Sequence, residues 1–469
     1  MKNLKIILLI IPIVLGMFIN TCFAESSTSK VSLSDSEITV NGEKISEDTS
    51  NGIYLSSKTD NGGISSEAKE ANIEIANIIN ITEAGTYEFS GTLKDGQIAI
   101  NANSINGEVK IILNNANITC KSAPAIMVYS KSIENENCKV IISTAKNTTN
   151  TVTGGKLKVS VEGWSDQSEL KYYVDKGYNE EREYYERYKY GGAISSDTSL
   201  TFEGEGTLNV VSTKKEGIEV KMNVTFNSGI VHIESLDDCV NACTDKKSVI
   251  TINGGTVIAN VSNDAEEGDA IDSNGYLYVN GGAVYAFAHP GADNGLDSNL
   301  GTYINGGTVF STGSMYEAFQ TQNNTTFIQM QLAVEVNEGE DIVIIDENEN
   351  AIFAYKADRK ISTICYSSDK LESGKTYSVY TGSGVTGTLE DNNIYTNIER
   401  VELNSMTKQE KSSNGMGMPG GMQRGKFESQ EQQVIEQEDT TNYIGIAIGC
   451  FGIAVVIIVA AVVVMKKQK

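Results

Sequence analysis

The sequence predicts an all-β chain wound as a coil of parallel strands, and three observations predict it. First, the stretch from Gly191 to Met315 repeats itself: Ile194, Ile218, Val240, Ile271 and Leu296 occupy equivalent places at steps of 24, 22, 31 and 25 residues. A period in that range marks a solenoid. Second, apolar residues recur at every second position within each copy, as in Leu277-x-Val279 and Val284-x-Ala286, which is the period of a strand. Third, the clearest copies turn at the same step, as in Ile250-Thr-Ile-Asn-Gly-Gly-Thr-Val257 and Leu277-Tyr-Val-Asn-Gly-Gly-Ala-Val284. Asn-Gly-Gly between alternating runs also suits a hairpin. An array of hairpins would not make whole copies superimpose, whereas a coil does.

Each element follows from that grammar. Phe202, Phe226, Ile252, Val279 and Ile304 form one inward column, and Leu208, Val231, Val257, Val284 and Val309 a second. No rung buries its share alone, so the columns are the core. Before them, residues 25–71 read as a polar N-terminal segment, and irregular rungs run from Asn72 into a coil assigned to 72–322. After them, residues 323–395 read as short antiparallel strands that cap the open end. Residues 396–442, with Gly415-Met-Gly-Met-Pro-Gly-Gly-Met422 at their centre, read as a flexible tether.

Both ends carry addresses. Met1-Lys2-Asn3-Leu4-Lys5, the apolar run Ile6–Phe18 and Cys22-Phe23-Ala24 read as a signal peptide over 1–24, with a lipidated Cys22 as the weaker alternative. Residues 443–465 are long and apolar enough for a transmembrane helix, and Lys466, Lys467 and Lys469 in the tail 466–469 place that tail in the cytoplasm. The expected location is therefore the cell surface, as a single-pass membrane protein with its N-terminal part outside.

The formal net charge of −24 argues against nucleic acid and anionic lipid as partners and favours cations or neutral glycans. Outside the signal and the apolar run, Cys120, Cys138, Cys239, Cys243 and Cys365 form no metal or redox motif and read as small buried hydrophobes.

Several residues are candidates for chemistry. Asp272 and Asp297 occupy equivalent positions in Ile271-Asp-Ser-Asn and Leu296-Asp-Ser-Asn, so a parallel coil holds them about 4.8 Å apart. Carboxylates that close repel unless a cation or a proton intervenes. Asp264, Glu267, Asp269 and Asp293 lie in the same two connecting loops. An oxygen-only set drawn from several rungs suits Ca²⁺, and a solvated acidic loop is the plain alternative. Two outward columns, ending in Tyr278 and Tyr303 and in Tyr285 and Phe310, make an aromatic platform for a glycan or simple cross-rung packing. The segment 164–190 breaks the pattern with Trp164 and seven tyrosines, Tyr184 and Tyr185 among them; it reads as an aromatic lip for sugar rings or a loop packed on the flank.

Asn117-Ile-Thr-Cys-Lys-Ser-Ala-Pro-Ala-Ile126, the Asn-Thr-Val step at Asn150, Gly191-Gly-Ala-Ile-Ser-Ser-Asp-Thr-Ser-Leu-Thr-Phe-Glu-Gly-Glu-Gly-Thr-Leu208 and Asp269-Ala-Ile-Asp-Ser-Asn-Gly275 resemble the clostridial carbohydrate-binding domain family over roughly Asn72 to Gly382. The resemblance implies a right-handed parallel β-helix similar to polysaccharide lyases, bound calcium, binding of plant cell-wall polysaccharide such as cellulose or pectin, and a cell-surface location. The tyrosine-rich segment has no match in it.

The residues also bear on turnover. A β-elimination needs a base, commonly arginine in β-helix lyases, and no arginine lies between Arg187 and Arg359. Lys221 or Lys246 is the remaining candidate for that role. His232 and Glu234 share a strand face, where solvated neighbours are the ordinary reading. The expectation is a calcium-assisted binding protein without turnover, with a surface adhesin or spacer as the first alternative and a calcium-dependent lyase as the second.

Overall fold

The computed structural model describes residues 28–56, 75–155, 157–160, 186–189, 192–390 and 392–410. Three ladders of strands build a coil. One contains Ile78–Ile81, Gln97–Asn101, Ile126–Tyr129, Ile194–Ser196, Ile218–Val220, Val240–Ala242, Ile271–Ser273 and Leu296–Ser298, each parallel to the next. After a tight corner each rung continues in a second ladder, here Leu200–Gly204, Val224–Phe226, Val249–Ile252, Tyr276–Val279 and Gly301–Ile304. A third ladder closes the rung with Thr207–Ser212, Ile230–Ser235, Thr256–Val261, Ala283–Phe287 and Thr308–Gly313.

The registers align both inward columns residue by residue. Phe202 pairs with Phe226, then Ile252, Val279 and Ile304, and Leu208 with Val231, Val257, Val284 and Val309. All ten are buried, and the Phe202 and Phe226 rings stack with centroids 5.0 Å apart.

The repeated Asn-Gly-Gly step has a physical reason in this stacking. Asn253 donates its side-chain amide to Asn227, Asn280 to Asn253 and Asn305 to Asn280, each at 3.0 Å, so the asparagines form a continuous ladder. The second glycine takes a left-handed backbone, with φ of 76° at Gly255, 79° at Gly282 and 85° at Gly307. A Cβ at Gly282 would also sit 2.5 Å from the Gly255 carbonyl oxygen on the rung below. We therefore expect Gly282→Ala to cost about 2 kcal/mol or more, read as a lowered denaturant midpoint at unchanged slope.

The N-terminal end is more ordered than its polar composition suggests. Ser29–Leu33 runs parallel to Gly85–Leu93, and Val31, Leu33, Ile38 and Ile45 are buried against the first rungs. At the other end Ile361–Ser367 pairs antiparallel with the last coil strand, bringing Tyr366 opposite Phe310. Phe327–Val336 pairs antiparallel with Ile361–Ser367 on its other side. A second sheet of Asp341–Ile345, Ala351–Lys356, Ser378–Gly382 and Met406–Lys408, with a hairpin of Val385–Leu389 and Tyr395–Val401, completes the cap. Strands thus continue past residue 395, where a tether was expected. That stretch reads as polar because most of Tyr395–Val401 faces solvent.

One part of the expected fold is corrected. Among the described residues no helix is long and apolar enough to cross a membrane. The helix expected over 443–465 lies outside the described residues, as do the signal segment and the tether's centre. Over the described residues the fold is all-β with no membrane helix, and the expected single-pass membrane location is withdrawn with it. A hydropathy run reports length and polarity; it does not show that a backbone forms a helix.

Candidate functional site

The acidic ladder lies on the outward side of the first ladder of strands. Asn241, Asp272 and Asp297 are successive register partners, each flanked by buried residues that point into the coil. Three residues before each of them comes a second column, Asp238, Asp269 and Asn294. Backbone bonds hold it in step, from Cys239 N to Asp269 O at 3.1 Å and from Ala270 N to Asn294 O at 3.0 Å. The local pattern polar-x-aliphatic-polar thus recurs on three rungs, and its polar positions form two acidic columns.

The carboxylates converge. Asp269, Asp272 and Asp297 each offer an oxygen, and these oxygens all lie within 4.8 Å of one another. Burial, together with the neighbouring Asp297 charge, pushes the Asp269 carboxyl up to about 8 and the Asp272 carboxyl up to about 7. Asp238 is raised well above the usual carboxylate range, first by burial and then by Asp269 and Asp272. No lysine or arginine pairs with Asp269, Asp272 or Asp297 among the described residues; the nearby Lys215 pairs with Asp237 and Lys221 with Asp197.

The amides beside the carboxylates test whether a cation fits. Asn241 donates Nδ2 to Asp238 Oδ2 at 2.6 Å, and Asn294 donates Nδ2 to Asp297 Oδ1 at 3.1 Å. This leaves buried Oδ1 atoms on both asparagines without a hydrogen-bond partner. Turning either amide over would bring its oxygen beside a carboxylate, an arrangement that is favourable only with a cation between them. The donors are all oxygen, which suits a hard cation with flexible coordination.

The other expected metal ligands lie apart. Asp264 and Glu267 are exposed, and Glu267 stands 4.0 Å from Lys215. Asp293 faces His289 at 3.5 Å, near the cluster without joining its three-carboxylate core. Asp238, Asn241 and Asn294 were missed, although the three-residue spacing common to Asp238-Cys-Val-Asn241, Asp269-Ala-Ile-Asp272 and Asn294-Gly-Leu-Asp297 was the signal that marks them.

The aromatic candidates divide. Tyr278 and Tyr303 stack face to face on the outward side of the second ladder, centroids 5.1 Å apart and planes 20° apart, and Tyr276 joins them at 5.9 and 6.2 Å. All three are partly exposed. This trio sits across the Asn274-Gly275 corner from Asp272, on the adjacent face of the coil. Tyr285 packs on the cap's core, and Phe310 is fully buried beneath it, 4.6 Å from Phe353 and 5.0 Å from Tyr355. The expected platform at Tyr285 and Phe310 is therefore corrected to a docking seam, because the returning cap strand covers the end of that column. Trp164, Tyr184 and Tyr185 lie outside the described residues. All five cysteines outside the two apolar termini are free thiols; four are buried, and burial pushes Cys120 and Cys239 up to about 12.

A family model described as carbohydrate-binding domain-containing protein matches residues 75–363. Among solved structures, the chain is similar to one titled "Structure of the polysaccharide lyase-like protein from C. thermocellum, Gadolinium derivative", with 17% sequence identity, 63% of this chain and 94% of that chain covered, and a TM-score of 0.40. No curated protein matches this chain.

Proposed function

Because this chain belongs to the family of carbohydrate-binding domain-containing proteins, we propose that it binds plant cell-wall polysaccharide, pectin or cellulose, without turnover, and that calcium assists the binding. The observation that carries the reading is the cluster of Asp269, Asp272 and Asp297, whose oxygens lie within 4.8 Å of one another with no cationic side chain paired to them among the described residues. These three would hold the ion, with the carbonyl oxygens of Asn241 and Asn294 within its reach. When bound, calcium supplies positive charge that a uronate carboxylate can share, so that an acidic protein can meet an acidic polymer.

The chain's own residues supply the remainder. Tyr278 and Tyr303 offer ring faces around the corner from the acidic ladder, where the C–H face of a pyranose can stack. The reading without turnover rests on the lack of an available arginine base in the coil. Arg359 is the first arginine after Arg187, and its guanidinium is buried and spent on Asp358 and on the Val261 and Ala288 carbonyls at 2.7 and 3.0 Å. It has no reach to a substrate proton.

The test titrates the chain with polygalacturonate in calcium and then in chelator while following ultraviolet absorbance. Saturable binding that weakens at least tenfold in chelator, with no rise in absorbance, is expected. Unsaturated products would move the protein to the lyases, and no binding in calcium would move it to the adhesins.

A further inference from the structure

A second recess lies away from the acidic ladder, where the third ladder of strands meets the cap. It has a volume of about 480 Å³, in the range of small-molecule sites. Its floor is the outward side of Ile230–Ser235 and Thr256–Val261, which presents His232, Glu234, Ile258 and Asn260 as register neighbours: His232 beside Ile258 and Glu234 beside Asn260. Its wall comes from the cap, through Asp358, Asn393 and Thr396.

The junction is built rather than incidental. Arg359 crosses from the cap into the coil and is 4% exposed. It donates Nη1 to Val261 O and Ala288 O and Nη2 to the Asn260 side-chain oxygen, and it holds Asp358 through Nε at 2.9 Å and Nη2 at 3.0 Å. Tyr355 donates its hydroxyl to the same carboxylate at 2.9 Å, and its ring stacks on Phe287 at 5.3 Å. Floor and wall are thereby fixed against each other. With its oxygen engaged by Arg359, Asn260 has its amide hydrogens left to donate. Glu234 is exposed, and no cation pairs with it among the described residues.

We infer that this coil–cap recess is a second, calcium-independent saccharide site that takes a short neutral oligosaccharide. The chemistry selects the class. Glu234 offers an acceptor pair suited to vicinal hydroxyls, the Asn260 amide donates to a ring or hydroxyl oxygen, and Ile258 gives an apolar patch for a sugar's C–H face. The Glu234 carboxylate repels a uronate, since the Arg359 cation is already committed to Asp358 and to the Val261, Ala288 and Asn260 acceptors. The recess and the acidic ladder therefore favour differently charged parts of a glycan.

The experiment uses the full chain in chelator, with cellotriose and tri-galacturonate as probes in isothermal titration. Cellotriose is expected to bind saturably. Glu234→Ala, at an exposed strand position, is expected to weaken it about tenfold by removing a charge-assisted acceptor, and Ile258→Trp to change the affinity by filling the floor. Tri-galacturonate is expected not to bind in chelator. No cellotriose binding, binding that requires calcium, or binding unchanged in both variants would overturn the assignment. So would a glucosamine trimer that binds more tightly than cellotriose, since the recess would then select a cation. The calcium-dependent polygalacturonate titration reports on the acidic ladder alone, so the two readings can fail separately.

Discussion

Replacing Asp272 with alanine is expected to lower the chain's calcium affinity roughly a hundredfold or more, measured by isothermal titration at pH 8. Asp272 is the middle rung of the cluster, between Asn241 and Asp297 in register and within the 4.8 Å set that includes Asp269. Its loss removes one of the three carboxylates that would hold the ion. Proton competition gives the effect a pH signature. Asp269 and Asp272 titrate at about 8 and about 7 in the folded chain, against 3.8 for an unperturbed aspartate. Between these limits the folded chain holds protons that the unfolded chain has released. Its metal-free stability is therefore greatest at low pH and falls as pH rises from about 4 through about 8. Calcium needs the same carboxyls ionised, so its affinity rises over the same upper range, and the gain in melting temperature on adding calcium is expected to grow from pH 6 to pH 8.5. In Asp272→Ala that gain is lost, and the fall in metal-free stability with pH becomes shallower.

Phe226→Ala is expected to destabilise the coil by about 3 to 5 kcal/mol, the cost of deleting a buried aromatic side chain and leaving its cavity. Phe226 is 1% exposed and lies between Phe202 and Ile252 in the inward column, with its ring stacked on Phe202. Parallel rungs constrain how far the neighbours can relax, because each backbone is bonded to the one above and the one below. The double variant with Phe202→Ala is expected to cost less than the sum of the two single changes, since the first deletion already removes the shared ring contact. Thermal denaturation of both single variants and the double variant measures this directly. Equal and additive losses would mean that the stack contributes nothing beyond burial.

The inward columns were legible because burial on one side of a strand imposes a period of two, and because Asn-Gly-Gly marks the same corner on successive rungs. The glycine carries the left-handed backbone and the close approach to the rung below, while the asparagine carries the amide ladder; both requirements write themselves into residue identity. Half of the acidic ladder was legible for a related reason: Asp272 and Asp297 sit in matching Asp-Ser-Asn steps. Asp238 was hidden by the longer excursion between its rung and the next, where Asp264, Glu266 and Glu267 form an exposed acidic loop that drew attention from the aligned positions. Asn294 was hidden because asparagine in a connecting loop usually bonds its own backbone, and Asn241 because a lone amide on a strand carries no charge; only their place beside carboxylates distinguishes them. Phe310 was misread because its cover comes from Tyr366, Phe353 and Tyr355, more distant in sequence than any rung-to-rung repeat reveals. The apolar stretch at 443–465 satisfied a length criterion, and no helix of that kind is found among the described residues.

The proposed link between this acidic coil and an acidic polysaccharide is a cation held between neighbouring rungs. A crystal grown with calcium and tri-galacturonate, examined for anomalous scattering, tests it most directly. The prediction is an ion bounded by Asp269, Asp272 and Asp297, with a uronate carboxylate completing its shell and the Asn241 or Asn294 amide turned to present its oxygen. An empty cluster beside a bound tri-galacturonate, or calcium in the cluster with the sugar bound elsewhere, would contradict it.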